Sequence, residues 1–155
     1  MRKRRVLATL ALAGAAMLGA TDAAHAIGSC SITAVGVSFG TYDVFGASPR
    51  DSTGSVTYNC LSVLGTITID LSRGGAPTFS PRQMQKSGEV LGYNLYLDAA
   101  RMTIWGNATS GTSHYGPVNP PLLTNVTVTI FGRIPAGQDA SAGSYTDTVV
   151  ATINF

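Results

Sequence analysis

Apolar and polar residues alternate in several short stretches of the chain. Val56, Tyr58 and Cys60 fall on one side of an extended segment, with Thr57 and Asn59 on the other. The same reading separates Ile67, Ile69 and Leu71 from Thr66, Thr68 and Asp70, and Tyr93, Leu95 and Leu97 from Asn94, Tyr96 and Asp98. A fourth stretch sets Val126, Val128 and Ile130 against Asn125, Thr127 and Thr129. Further strands are predicted over 31–39, interrupted at Gly36, over 144–155, and briefly over 102–105. Turn signals such as Gly74-Gly75, Asn119-Pro120-Pro121 and Pro135-Ala136-Gly137 punctuate them, and no stretch sustains a helical period. Six or seven short strands at this spacing predict an antiparallel β-sandwich of immunoglobulin type.

The last predicted strand raises a physical question. Val149, Ala151, Ile153 and Phe155 point one way. Such a strand is either paired on both sides within its own sheet or is an edge awaiting another strand. The alternation by itself favours an ordinary internal strand.

The start of the chain changes the charge balance. Arg2, Lys3, Arg4 and Arg5 precede an apolar stretch over 6–20 and a small-residue segment ending Ala24-His25-Ala26. This is the order of a cleavable signal peptide, and the apolar part is shorter than the ~20 residues a spanning helix needs. Cleavage after Ala26 is expected, leaving one domain over 27–155. Without Asp22 and those four basic residues, six basic side chains face seven acidic ones. The pI of 8.7 therefore belongs to the leader and argues for no nucleic-acid or anionic-membrane partner. Export also gives the two cysteines, Cys30 and Cys60, an oxidising compartment in which a disulfide is the simplest pairing.

Candidate chemistry is thin. His114 is the one histidine of the expected mature chain and sits in a polar segment without a nucleophile elbow, so a solvated loop histidine is expected. Glu89 is the sole glutamate, and the aspartates are scattered without the spacing of a calcium loop. No catalytic, cofactor or metal site is expected, and the chain reads as a non-enzyme. Trp105 divides between a core and a contact role, because it precedes a polar loop containing Tyr115. Trp105, His114 and Tyr115 are thus the candidate surface-contact residues, with loops 106–121 and 73–88 around them.

Four stretches carry a family likeness: FGTYD at 39–43, GSVTYNC at 54–60, LGYNLYLDAARMTIWGN at 91–107, and VTIFGRIPAGQDASAGSYTDTVVATINF at 128–155. They resemble the spore coat protein U family, which includes subunits of archaic chaperone-usher pili. The resemblance implies an immunoglobulin-like sandwich lacking one strand, its groove filled first by a periplasmic chaperone and then by a neighbouring subunit's strand. Carried over, the groove wall comprises Val149, Ala151, Ile153 and Phe155, with Ile32 opposite. The implied partners are that chaperone, an outer-membrane usher, neighbouring pilus subunits and a surface or glycan receptor. The implied destination is a cell-surface pilus reached through the periplasm. Because only Ile27, Gly28 and Ser29 stand between the expected cleavage point and Cys30, the chain is expected to accept a strand without donating one, as at a fibre tip. The alternative is a self-contained secreted coat or carbohydrate-binding protein.

Overall fold

The computed structural model describes residues 28–155; the expected leader, 1–26, lies outside the described residues. Eight strands follow in chain order: β1 (Gly28–Val35), β2 (Arg50–Val63), β3 (Ile67–Leu71), β4 (Arg82–Lys86), β5 (Glu89–Tyr96), β6 (Tyr115–Val118), β7 (Val126–Ile134) and β8 (Ala151–Asn154). They form a five-stranded sheet in the order β1-β2-β7-β5-β4 and a three-stranded sheet in the order β6-β3-β8, with every strand pairing antiparallel. The all-β fold expected from the alternation is what the chain adopts.

The core lies where the inward positions of the two sheets meet. Val56, Tyr58 and Cys60 from β2, Ile67, Ile69 and Leu71 from β3, and Leu91, Tyr93 and Leu95 from β5 are all buried, matching the period-two pattern. Cys30 and Cys60 are opposite one another in the β1–β2 ladder and form a disulfide. Closing a loop with 30 residues of separation stabilises the fold by roughly 3 to 4 kcal/mol on chain-entropy grounds.

Four expectations need correction. Segment 82–86, read as part of a loop, is β4; its sequence, Arg-Gln-Met-Gln-Lys, hides the pattern because the fully buried inward residue is Arg82. It joins β5 through Ser87 and Gly88, both at positive φ, as a two-residue turn whose twist matches the strands requires. The loop expected over 106–121 contains β6, held against β3. The last strand is regular only over Ala151–Asn154, because the chain before it crosses between sheets. Gln85 N–H donates to Thr146 O and Thr146 N–H to Gln85 O on one side, while Ser72 N–H donates to Val150 O on the other.

Near 102–105 the chain forms bridges rather than a strand. Leu97 N–H donates to Thr103 O and Trp105 N–H to Leu95 O, extending the line of β4 along β5. It then passes to the smaller sheet, where Leu71 N–H donates to Gly106 O.

Candidate functional site

A groove opens where the two sheets fail to meet. At one end β1 and β8 touch: the Phe155 ring sits so close to Gly28 that a Cβ there would fall 2.6 Å from a ring carbon. From that contact the two chain segments diverge, leaving a wedge of about 1240 Å³ between residues 34–45 on one side and 140–151 on the other. Its floor is apolar, formed by Val56, Leu71, Leu91, Leu95, Ile130 and Ile134.

The first wall follows from two glycines. After Val35 the backbone leaves the β2 ladder and swings inward over Gly54, where a Cβ would lie 2.5 Å from Val35 O. Val37 and Phe39 then lie over Gly132 of β7. A side chain at either position would push the segment off the sheet, which is the close approach that strand glycines permit. Side chains replace the lost ladder bonds: Ser52 Oγ donates to Ser38 O at 2.6 Å and Arg50 Nε to Phe39 O at 2.7 Å.

Polar contacts to the body of the sandwich hold the second wall. Gln138 acts as a substitute strand beyond Pro135, which has no N–H to offer; its Oε1 accepts from Gly92 N–H and its Nε2 donates to Gly92 O. Tyr42 donates to Pro135 O and accepts from Gln138 N–H, joining the two walls at the wide end. Lys86 and Glu89, on either side of the β4–β5 turn, clamp 141–145: Lys86 Nζ donates to Ser141 Oγ and Ala142 O, while Ser141 and Tyr145 hydroxyls donate to Glu89 Oε2. The Ser141 bond, then that from Tyr145, holds Glu89 down to about 2. Asp147 accepts from Gly75 N–H at 2.8 Å and from the Tyr93 hydroxyl at 2.7 Å. Burial, reinforced by that carboxylate, pushes the Tyr93 phenol well above its usual range.

The free edge of β8 faces this groove. Val150 is bonded to Ser72, so the alternation of an antiparallel ladder turns the N–H and C=O groups of Val149, Ala151 and Ile153 away from β3. Among the described residues, β8 has no second neighbour in its sheet.

Of the five expected wall residues, Val149 and Ala151 line the groove. Ile32 and Ile153 pack against the core outside that lining, and Phe155 closes the narrow end. The sequence reading missed the 34–45 wall and the clamps on 140–147. Gly54 and Gly132, glycines inside strands, were the available signal.

The expected contact loop is rearranged. Trp105 is fully buried and donates its indole N–H to Ile69 O at 2.8 Å, a partner that a buried indole requires. Tyr115 lies in β6 with its ring 6.2 Å from those of Tyr58 and Trp105. His114 is only partly exposed, with Nδ1 3.2 Å from Asp70 Oδ1, and is not a free loop histidine. The three do not form an exposed tip.

The carboxylates have structural partners. Arg133 grips Asp51 through both carboxylate oxygens, at 2.7 and 2.8 Å, and Arg101 approaches the same group; Arg133 lowers the Asp51 pKa. Asp98 accepts the backbone N–H groups of Met102 and Thr103. Among the described residues, no three His, Cys, Asp or Glu side chains are grouped to hold a metal, and no helix is long and apolar enough to cross a membrane.

An all-β sandwich with an apolar wedge beside the outer edge of its last strand is the class these features define. The Spore Coat Protein U domain matches residues 15–152, and the chain belongs to that family. It is 40% identical over 145 residues to "Protein U" of Myxococcus xanthus, an alignment covering 83% of this chain and 78% of that protein. It is also similar to a chain in the crystal structure of the CsuC-CsuE chaperone-tip adhesion subunit pre-assembly complex, from archaic chaperone-usher Csu pili of Acinetobacter baumannii. There the TM-score is 0.56 and the identity 25%, covering 83% of this chain and 40% of that one. This chain thus spans well under half of that neighbour's length.

Proposed function

We propose that the chain is a non-enzymatic structural or adhesive subunit of a chaperone-usher surface pilus, and that its groove accepts an extended strand from a partner. One observation carries this reading: the outer backbone edge of Val149, Ala151 and Ile153, unpaired among the described residues, leads into an apolar wedge that Val149 and Ala151 line and that the described strands leave open. An added strand would pair with that edge and set alternate side chains on the floor. In the periplasm the donor is a chaperone; at an outer-membrane usher it is exchanged for a neighbouring subunit, which places the protein on the cell surface.

The chain is an acceptor without a donor, the arrangement of a fibre tip. Residues 28 and 29 already belong to the β1–β2 ladder, and cleavage after Ala26 would leave Ile27 alone ahead of it. A second reading, a self-contained secreted coat protein, draws on Phe39: only 7% exposed, it fills part of the space between the sheets.

Co-expression with a periplasmic chaperone of this pilus class distinguishes them. The native chain is expected to co-purify with the chaperone, and Ala151→Arg to lose it while retaining the Cys30–Cys60 disulfide. A native chain that is secreted as a stable monomer, with no dependence on a chaperone, supports the coat-protein reading.

A further inference from the structure

Away from the groove, loops 72–80 and 107–110 meet in a second cleft of about 580 Å³. Ser72, Arg73, Phe79, Asn107, Thr109 and Ser110 contribute to it, and none of its lining residues is acidic. Arg73 is exposed and spends Nη1 on Pro77 O, leaving Nε and Nη2 without an acceptor among the described residues. No described carboxylate lies within ion-pair distance of it.

A second positive charge lies behind the cleft. Arg82 is fully buried and donates to Ser72 O, Asn94 Oδ1 and Trp105 O, all of them neutral acceptors. The carboxylate whose field it feels, Asp147, is already bound to Gly75 and Tyr93. The Arg82 guanidinium sits 5.4 Å from the centre of the Phe79 ring. Two guanidinium groups thus adjoin a cleft whose lining holds no carboxylate, a setting that favours an anionic group.

The remaining groups suit a hydroxylated ligand. Phe79, half-exposed, offers an apolar ring face. Thr109 Oγ1 donates to Asn107 Oδ1 at 2.6 Å, which leaves the Asn107 amide N–H groups without a protein acceptor among the described residues. The loop carrying them holds Ala108 and Ser110 at φ of 59° and 52°, a conformation that non-glycine residues adopt at a cost and that clusters in ligand-binding loops.

We propose that this cleft binds an acidic sugar: the carboxylate on Arg73, the pyranose face on Phe79, and ring hydroxyls on Asn107 and Ser110. The proposal does not depend on the groove or on pilus assembly. It is tested by titrating the secreted protein with di- and trigalacturonate and following binding by calorimetry and NMR. Saturable binding is expected, with trigalacturonate affinity falling about tenfold or more in Arg73→Gln, the loss of one charge-assisted contact. Phe79→Leu should weaken binding while leaving thermal unfolding close to native. Neutral cello-oligosaccharides should bind far more weakly. Absence of binding, unchanged affinity in Arg73→Gln, or inorganic phosphate competing as well as the sugar acid would overturn the assignment.

Discussion

The Tyr93 hydroxyl donates to Asp147 Oδ2 at 2.7 Å, tying the groove floor on β5 to the wall that leads into β8. Tyr93 is 5% exposed, so the bond is shielded from water. Removing only the hydroxyl leaves Asp147 with its backbone donors and deprives it of its side-chain donor. Tyr93→Phe should therefore cost about 1.5 to 3 kcal/mol, the range for a hydrogen bond to a charged group. Chemical denaturation of both proteins measures the difference, and a cost near zero would mean the wall stands without this bond.

Glu89 links acidity to the same wall. The Ser141 hydroxyl, with help from Tyr145, holds it at about 2, against 4.5 for an unperturbed glutamate. A carboxylate lowered in the folded state contributes stability that is present above pH 4.5 and is lost as pH falls through about 2. Between those limits the native protein should lose more thermal stability than Glu89→Gln, whose side chain does not titrate. Parallel melting curves at pH 5, 4, 3 and 2 give the comparison.

Arg82 is the residue the pattern concealed. Burial lowers it to about 10, so it remains charged at neutral pH, and its forked donors reach Ser72 O, Trp105 O and Asn94 Oδ1, of which Asn94 Oδ1 also accepts from Leu95 N–H. Arg82→Met should strand Ser72 O and Trp105 O in the interior and leave Asn94 Oδ1 with Leu95 N–H alone. The loss is expected to be about 2 to 6 kcal/mol, from roughly 1 to 3 kcal/mol for each of the two carbonyls left without a donor, seen as a sharp fall in melting temperature or in soluble yield. Retention of native stability would show that water or neighbouring groups replace those donors.

The sandwich was legible because β2, β3, β5 and β7 alternate apolar and polar residues over much of their length, although β5 also buries Asn94. β4 was not, since the inward Arg82 and outward Gln83 and Gln85 give no apolar signal, and its burial depends on acceptors from three other segments. The groove was half legible. The family resemblance implies the place of Val149 and Ala151 at its wall, since alternation by itself favours an ordinary internal strand. Where β1 and β8 meet depends on the contact of Phe155 with Gly28, a long-range fact that no local pattern carries. The sequence divides Trp105 between a core and a contact role because a polar segment follows it, and Ile69 O and the Tyr115 ring hold it in the core. Several motif residues that carry the family likeness, among them Gln138, Tyr145 and Asp147, hold the wall in place.

The most direct test of the open edge is hydrogen–deuterium exchange at the amides of Val149, Ala151 and Ile153. In the isolated protein these should exchange quickly, while the amide of Val150, bonded to Ser72 Oγ, is slower. In complex with a donor strand or chaperone all three should become protected. Slow exchange of the three in the isolated chain, or no change when a donor is bound, would contradict an acceptor groove at β8.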